Sequence, residues 1–161
     1  MEKPKITLTK KQLEQILLHK LQNDFSYFSK EFLKIRTKDA QISPLNFNAA
    51  QKELERIIKK QTKETGKVRI IILKGRQQGL STAVGAYLYH NVSIKKAKKA
   101  LVVAHKSEAT KTLFEMTKRY HDLSSAPQGV KPKTLYDSKS ELTFPDIQSS
   151  YIVATAGGPI S

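Results

Sequence analysis

The segment VRIIILKGRQQGLST, residues Val68–Thr82, decides which fold the chain can adopt. Its first part, Val68–Leu73, is almost entirely β-branched or apolar, which is typical of a strand that is buried on both faces. A loop with two glycines follows, Gly75 and Gly79, and then a stretch that favours a helix. The loop differs from the usual phosphate-binding sequence G-x-x-x-x-G-K-[ST], because Leu80 stands where the lysine is expected.

A phosphate-binding loop needs a strand that ends at the site, converging backbone N–H groups, a helix N-terminus and a hydroxyl for Mg²⁺. Gly75 and Gly79 lack a Cβ, so they can take positive φ and let phosphate oxygens approach the backbone. A helix beginning near Leu80 would direct the positive end of its dipole at an anion. Ser81 has the position of the Mg²⁺-binding hydroxyl, and Thr82 offers a second hydroxyl.

The positive charge must then come from elsewhere in the loop. Lys74 occupies its first position, and Arg76 follows two residues later with a planar guanidinium suited to bidentate phosphate contact. Since the loop curls around the phosphates, we expect Lys74 to reach the β- and γ-phosphates and Arg76 to act as a second clamp or an orienting residue. The alternative is a strand–turn–helix in which Gly79 is only a turn residue.

Periodicity predicts helices before this segment. Apolar residues recur at steps of three and four between Thr9 and Arg36, which indicates one helix or a broken pair, with Thr9 as the N-cap. The stretch Thr37–Asn48 contains Pro44 and several turn formers, so it is predicted to be a connector. A further helix is predicted from Ala49 to about Lys63.

After the loop helix, predicted for Ser81 to about Asn91, a second buried strand is expected at Ala100–Ala104. Strand, loop, helix and strand together predict a βαβ unit with parallel strands and a right-handed crossover. Ser107 is predicted to cap another helix. Two short strands, Glu141–Phe144 and Ser150–Thr155, are predicted to form a hairpin.

Composition limits the classes of function. The 161 residues suit one domain, and the lack of cysteine excludes disulfides, thiolate metal sites and cysteine nucleophiles. With 29 Lys+Arg against 14 Asp+Glu, the formal net charge is +15, which favours a polyanionic partner such as DNA. No apolar run approaches the ~20 residues of a membrane span, so we expect a cytosolic protein that does not interact with a membrane. His90, His105 and His121 lack the spacing of metal ligands and are interpreted as structural or surface residues.

The string KGRQQGLST, Lys74–Thr82, resembles the deviant Walker A loop of the large terminase subunits of tailed bacteriophages and prophages. That family often shows R-Q-x-G-x-[ST], and some members carry the lysine at the loop entrance. Residues Asn23–Leu54 resemble the family's N-terminal segment, in which a glutamine contacts adenine; Gln51 matches it. Leu101–Phe114 resembles the strand and helix after the loop, and Ile147–Ala156 resembles the hairpin before the Walker B strand.

The resemblance implies an α/β fold of the P-loop NTPase type, with three layers and a parallel central sheet. It divides the chain into an N-terminal helical segment and connector at residues 1–48 and a partial ATPase domain at residues 49–161. ATP and Mg²⁺ are the implied ligands, with Ser81 on the metal. The implied nucleotide-binding residues are Gln51, Lys74, Gly75, Arg76, Gln77, Gln78, Gly79, Leu80, Ser81 and Thr82.

Two parts of such a protein are missing from the sequence. A Walker B strand would be an apolar run ending in Asp-Glu, but the acidic residues after Asp122 are only Asp137, Glu141 and Asp146. The carboxylate cluster of a metal-dependent nuclease domain is missing as well. We therefore expect these residues to bind ATP with little or no turnover.

In its full-length form the implied protein packages double-stranded DNA into a capsid in the cytoplasm of a bacterial host. Its further partners would be a small terminase subunit and the capsid portal, and it would work as a ring homo-oligomer. Two alternatives stay open. One is a lobe of a helicase-like DNA translocase, which would carry a similar loop and glutamine. The other is a non-catalytic DNA-binding module in which the loop is vestigial.

Overall fold

The structure, a computed structural model, describes residues 9–37, 39–127, 130–135 and 140–157. Within these ranges the chain forms a mixed α/β fold with five α-helices and two small sheets. Asp137 and residues 158–161 lie outside the described residues, as do the first eight residues of the predicted N-terminal segment and two residues of the predicted loop Ser125–Gly129.

The predicted N-terminal helix is a broken pair, α1 at Lys10–Asn23 and α2 at Phe25–Phe32. The predicted N-cap is confirmed: the Thr9 hydroxyl accepts a hydrogen bond from the backbone N–H of Gln12, and the Gln12 side chain accepts from the backbone N–H of Thr9. Only the later part of the apolar stripe is buried. Leu21, Phe25 and Phe28 lie in the core, whereas Leu13, Ile16, Leu17 and Leu18 on α1 are exposed.

The predicted connector contains a small antiparallel hairpin, β1 at Lys34–Arg36 and β2 at Ile42–Pro44. The helix after it is confirmed as α3, Ala49–Thr65. It ends at Gly66, whose φ of 69° puts it in the left-handed region that glycine adopts without strain.

The predicted strand Val68–Leu73 is wrong. The segment pairs with no strand among the described residues, and Ile71 and Leu73 are 100% and 101% exposed. Its backbone is joined to α3 by a hydrogen bond, in which the N–H of Arg69 donates to Oε1 of Gln61 at 2.7 Å. Apolar character alone does not form a strand, because the backbone groups need neighbouring strands as hydrogen-bond partners. The first strand of the predicted βαβ unit is therefore not formed.

The elements after the loop agree with the prediction more closely. The loop helix is α4, Leu80–Ile94, and the next strand is β3, Lys99–Ala104. The following helix, α5, spans Ser107–Asp122. Ser107 is its first helical residue and not its N-cap, because Lys106 has the extended conformation of the cap position.

The C-terminal hairpin is confirmed. Strand β4, Glu141–Phe144, is joined by a 3₁₀ turn to β5, Ser149–Thr155, and the two are antiparallel. The sheet has the order β3-β5-β4, with β3 parallel to β5 and Ala100 opposite Tyr151. The predicted parallel central sheet is therefore confirmed only in part: the sheet is small, and one of its two strand pairs is parallel.

One face of this sheet is covered. Helices α4 and α5 pack against β3, β5 and each other. Ala100 and Ala104 of β3 are buried, whereas Leu101 and Val103, which point to the opposite face, are half-exposed. In the described part of the chain no third layer covers that face, so the three-layer fold stays a prediction.

Buried aromatic side chains join the helices to the sheet. Tyr89, Tyr120 and Tyr151 are nearly inaccessible, and His90 donates from Nε2 to the carbonyl oxygen of Leu21 at 2.6 Å. Burial lowers the pKa of His90 to about 4, so it is neutral at physiological pH. The main buried cluster includes side chains from both sides of residue 48, and the division into two domains stays a prediction.

Candidate nucleotide-binding site

The site predicted from the sequence lies at the beginning of α4. Residues 74–78 form an exposed turn, and Gly79 is the N-cap of the helix, with φ 70° and ψ 10°. No side chain of a described residue caps this helix end. The first N–H groups of a helix have no intrahelical partner, so those of Leu80, Ser81 and Thr82 are available to an anion.

Two side chains from the start of α3 hold the loop in place. Asn48 donates from Nδ2 to the carbonyl oxygen of Gln78 at 3.2 Å, and Gln51 donates from Nε2 to that of Gly79 at 2.8 Å. In a trans peptide the C=O and the following N–H point in opposite directions. Because both carbonyls are fixed toward α3, the N–H groups of Gly79 and Leu80 point away from it, as phosphate binding requires.

Gln51 also caps the N-terminus of α3. It is 5% exposed, and its Oε1 accepts from the backbone N–H of Asn48 at 3.0 Å, which completes a capping box for α3. A glutamine amide has two N–H donors and two lone pairs, so one of each remains. The adenine contact of Gln51 stays a prediction and would have to use these remaining groups.

The two glycines of the loop differ in conformation. Positive φ was predicted as accessible to both Gly75 and Gly79, and Gly79 has it. A Cβ on Gly79 would lie 2.8 Å from Nε2 of Gln51. Gly75 does not have positive φ, and the residue that does within the turn is Gln77, with φ 61°. Gly79 is therefore required both by its backbone angles and by the close approach of Gln51.

Lys74 and Ser81 line one cavity of about 200 Å³ at this end of α4. Tyr151 and side chains from the neighbouring elements complete its wall, which is mostly apolar: Ile72, Leu80, Val84, Val102 and Leu113. Arg76, Gln77 and Gln78 are exposed on the turn and do not line this cavity. The structure thus brings together the predicted cation Lys74 and the predicted Mg²⁺ ligand Ser81.

Leu80, which replaces the usual lysine, is a packing residue. It is 7% exposed and lies in a small cluster with Leu54 and Ile58 of α3 and Ala83 of α4. Its side chain therefore joins the loop helix to α3, while its backbone N–H stays on the side available to an anion. Leu80 was predicted as a nucleotide-binding residue that lacks the usual charge, and this packing contact with α3 was not predicted.

Tyr120 of α5 supports the first turn of α4. The hydroxyl of Tyr120 donates to the carbonyl oxygen of Thr82 at 3.1 Å. Burial raises the pKa of Tyr120 and also that of Tyr151, so both are neutral phenols at physiological pH. Tyr120 could not be predicted from a local sequence pattern, because its contact with Thr82 spans 38 residues. Asn48 could have been found, since N-x-x-Q before an apolar helix is a capping-box pattern.

Metal clusters and membrane-spanning helices are both missing from the described ranges. No group of three or more His, Asp or Glu side chains there is arranged to hold a metal ion. No helix within the same ranges is both long and apolar enough to cross a membrane. His121 is buried beside Tyr89, with Nδ1 3.1 Å from the tyrosine hydroxyl, and His105 is exposed.

Comparisons with known proteins assign no family. No protein-family model matches the chain. A search of curated proteins gives no match either. The case for a function therefore depends on the loop, the residues that hold it and the chemistry that they offer.

Proposed function

We propose that this chain carries the ATP-binding site of a DNA-packaging motor of the large terminase type. The observation that carries the proposal is the meeting of Lys74 and Ser81 at one cavity beside the uncapped N-terminus of α4. The backbone N–H groups of Leu80, Ser81 and Thr82 would bind phosphate oxygens, and Lys74 would add the positive charge. The Ser81 hydroxyl would be a ligand of Mg²⁺.

The residues present fit Mg²⁺-ATP at the phosphate end. Two fixed carbonyls direct the loop N–H groups outward, and one ammonium and one hydroxyl line the adjoining cavity. With about 200 Å³, this cavity is smaller than typical ligand pockets of roughly 300–1,000 Å³. Because its wall is mostly apolar, we assign only the edge at Lys74 and Ser81 to the phosphates, and we place the base outside the cavity. Bound Mg²⁺ would neutralise phosphate charge, and the chain's own residues would orient the nucleotide.

DNA is the proposed substrate of the motor. The formal net charge of +15 favours a polyanion, and the resemblance of Lys74–Thr82 to terminase loops connects nucleotide binding with DNA movement. The implied further partners, a small terminase subunit, a capsid portal and further copies of the chain in a ring, belong to the same proposal.

Calorimetry with a non-hydrolysable ATP analogue tests the site, with and without Mg²⁺. We expect Mg²⁺-dependent binding by the wild type and binding weakened by roughly 10- to 100-fold in Lys74→Ala, the range for loss of one charge-assisted hydrogen bond. Lys67→Ala is the matched control, because Lys67 is exposed and lies outside the loop and its cavity. It should bind like the wild type.

The same titrations separate the competing assignments. If Arg76→Ala loses binding and Lys74→Ala does not, the cation comes from Arg76. If the wild type shows no Mg²⁺-dependent binding, the proposal fails and the non-catalytic DNA-binding module is favoured. One observation supports that second candidate: Val68–Leu73, which precedes the loop, is not held in a sheet.

A further inference from the structure

A larger cavity lies at the opposite end of α4 from the loop. It measures about 550 Å³ and is lined by residues of α1, the last turn of α4, the segment 130–133 and the 3₁₀ turn before β5. Ser93 and Ile94 contribute from α4, whose 15 residues make it roughly 20 Å long. A ligand in this cavity would therefore be well separated from the nucleotide.

Positive charge is concentrated around this cavity. Three lysines line it: Lys96, Lys131 and Lys133. We call the cavity with these three residues the basic cavity. The adjoining turn between α4 and β3 is also rich in lysine. Four of the five residues 95–99 are lysines: Lys95, Lys96, Lys98 and Lys99. Lys95 is close enough to Lys98 for repulsion to reinforce the effect of burial, and both lower the pKa of Lys95.

Little negative charge opposes these lysines. Asp146 is the one acidic residue that lines the cavity within the described part of the chain. Glu53, Glu55 and Glu64 form ion pairs within α3, away from this cavity. Lys131 donates to the backbone carbonyl oxygen of Asp122 at 3.4 Å, and Lys95 donates to Oδ1 of Asn91 at 2.8 Å. Lysines therefore outnumber acidic residues in the lining of the cavity, within the described part of the chain.

We propose that the basic cavity and the turn beside it bind the phosphate backbone of double-stranded DNA. Lysine ammonium groups suit phosphates as compact charges, and they do not read base edges in the bidentate way of arginine. This inference rests on the proposed function, because a motor that moves along DNA must hold it without reading its sequence. A duplex carries one charge per about 1.7 Å of axis, so it can engage lysines inside and beside the cavity together.

The lining favours a duplex over a single strand. Proteins that bind single strands stack the bases on aromatic side chains. None of the described residues that line the cavity is aromatic. Its apolar lining, Leu18, Ile94, Val130 and Ile147, offers no stacking platform, but it would accept the apolar side chains of an acidic peptide. Such a peptide is the competing occupant.

Two variants that remove equal charge test the proposal. The first combines Lys96→Gln, Lys131→Gln and Lys133→Gln; the control combines Lys60→Gln, Lys63→Gln and Lys67→Gln, which are exposed lysines at the far end of α3. Fluorescence anisotropy with a labelled duplex of ~20 base pairs, about two helical turns, gives the affinity at several salt concentrations. Circular dichroism and thermal unfolding confirm that both variants fold.

We expect the basic-cavity variant to lose on the order of tenfold in duplex affinity and the control to lose clearly less. The slope of log K against log salt should fall by about 0.9 for each lysine that contacts a phosphate. Equal losses in the two variants, or an unchanged slope in the basic-cavity variant, would overturn the proposal. So would a single strand that binds more tightly than the duplex, or an acidic amphipathic peptide that binds while the duplex does not.

Calorimetry with the ATP analogue on the same proteins keeps this inference separate from the proposed function. The basic-cavity variant should bind the analogue like the wild type, because its substitutions lie at the other end of α4. Loss of DNA binding with nucleotide binding intact supports the assigned surface. DNA binding at the basic cavity without any nucleotide binding would uphold the surface and reject the motor.

Discussion

The side chain of Gln51 and the backbone of Gly79 are joined by a hydrogen bond of 2.8 Å, from Nε2 to the carbonyl oxygen. The same amide accepts the backbone N–H of Asn48 at the start of α3. One side chain therefore fixes both the N-terminus of α3 and the turn that leads into α4. The position of the candidate phosphate site depends on a helix that lies 28 residues earlier in the chain.

Gln51→Glu separates these two tasks. The carboxylate keeps an oxygen for the N–H of Asn48, but it has no donor for the carbonyl of Gly79 and places negative charge beside the loop. We expect a loss of about 1–3 kcal/mol in the free energy of unfolding, measured by denaturant titration, and weaker binding of the ATP analogue. Gln12→Glu is the control, because it makes the same change in the capping box of α1. Wild-type nucleotide affinity in Gln51→Glu would show that this bond does not position the loop.

Gly79→Ala tests the left-handed residue of the loop. With φ at +70° and the new Cβ 2.8 Å from Nε2 of Gln51, alanine would be strained and would displace the glutamine. The backbone term alone is about 1–2 kcal/mol, to be measured as a lower midpoint of denaturant unfolding. Gly75→Ala is the matched control, since Gly75 has no positive φ and its Cβ would meet only the exposed side chain of Gln78, at 3.3 Å. Equal losses in the two variants would contradict this explanation.

The helices and the Thr9 cap were predictable from the sequence because their causes are local, whereas the predicted cap at Ser107 is displaced by one residue to Lys106. The Thr9 cap, the helix from Ala49 and the beginning of α4 depend on residues three or four positions apart. The hairpin of β4 and β5 was predictable for the same reason, since its strands are adjacent in the chain. The meeting of Lys74 and Ser81 followed from the curvature of a short loop.

The features that the sequence did not predict depend on distant partners. Val68–Leu73 has the composition of a buried strand, but pairing requires a neighbouring strand, and among the described residues none is beside it. The role of Leu80 depends on Leu54 and Ile58, more than twenty residues earlier. Which side chains of two helices meet is decided by tertiary packing, and the periodicity of either helix alone does not show it.

Leu80→Ala and Leu73→Ala make the same chemical change at a buried and at an exposed position. Leu80 is buried between α3 and α4, so its truncation should cost about 2–4 kcal/mol in the free energy of unfolding. Leu73 is 101% exposed, so its truncation should cost almost nothing. Thermal and denaturant unfolding measure both. A larger loss in Leu73→Ala would mean that Leu73 is covered in solution.

His90 makes the stability of the fold depend on pH. Its pKa is lowered from 6.5 to about 4, chiefly by burial, with Lys95 acting in the same direction and Asp24 and the carbonyl of Leu21 opposing. The unfolded chain then binds more protons, so stability is full above about pH 6.5 and falls as the pH drops toward 4. The shift corresponds to about 3 kcal/mol at most.

Denaturant unfolding of His90→Gln between about pH 4 and 6.5 measures how much His90 contributes to the pH dependence of stability. Glutamine can donate to the carbonyl of Leu21 but does not titrate, so the variant should lose part of the slope of stability against pH. His121, whose pKa burial also lowers to about 4, with Lys131 acting in the same direction, should supply much of the remainder. His105→Gln is the control, because that side chain is exposed. A full slope in His90→Gln would contradict the assignment.

Ser29 and Ser93 are both buried in helices and differ in one respect. The hydroxyl of Ser93 donates to the carbonyl oxygen of His90 at 3.3 Å, whereas that of Ser29, 0% exposed, has no partner among the described residues. Alanine favours a helix equally at both positions, so this gain cancels in the comparison. We therefore expect Ser29→Ala to be more stable than Ser93→Ala by about 1 kcal/mol, the usual net value of a hydrogen bond. Denaturant unfolding measures the difference, and the opposite order would show that Ser29 has a hydrogen-bond partner in solution.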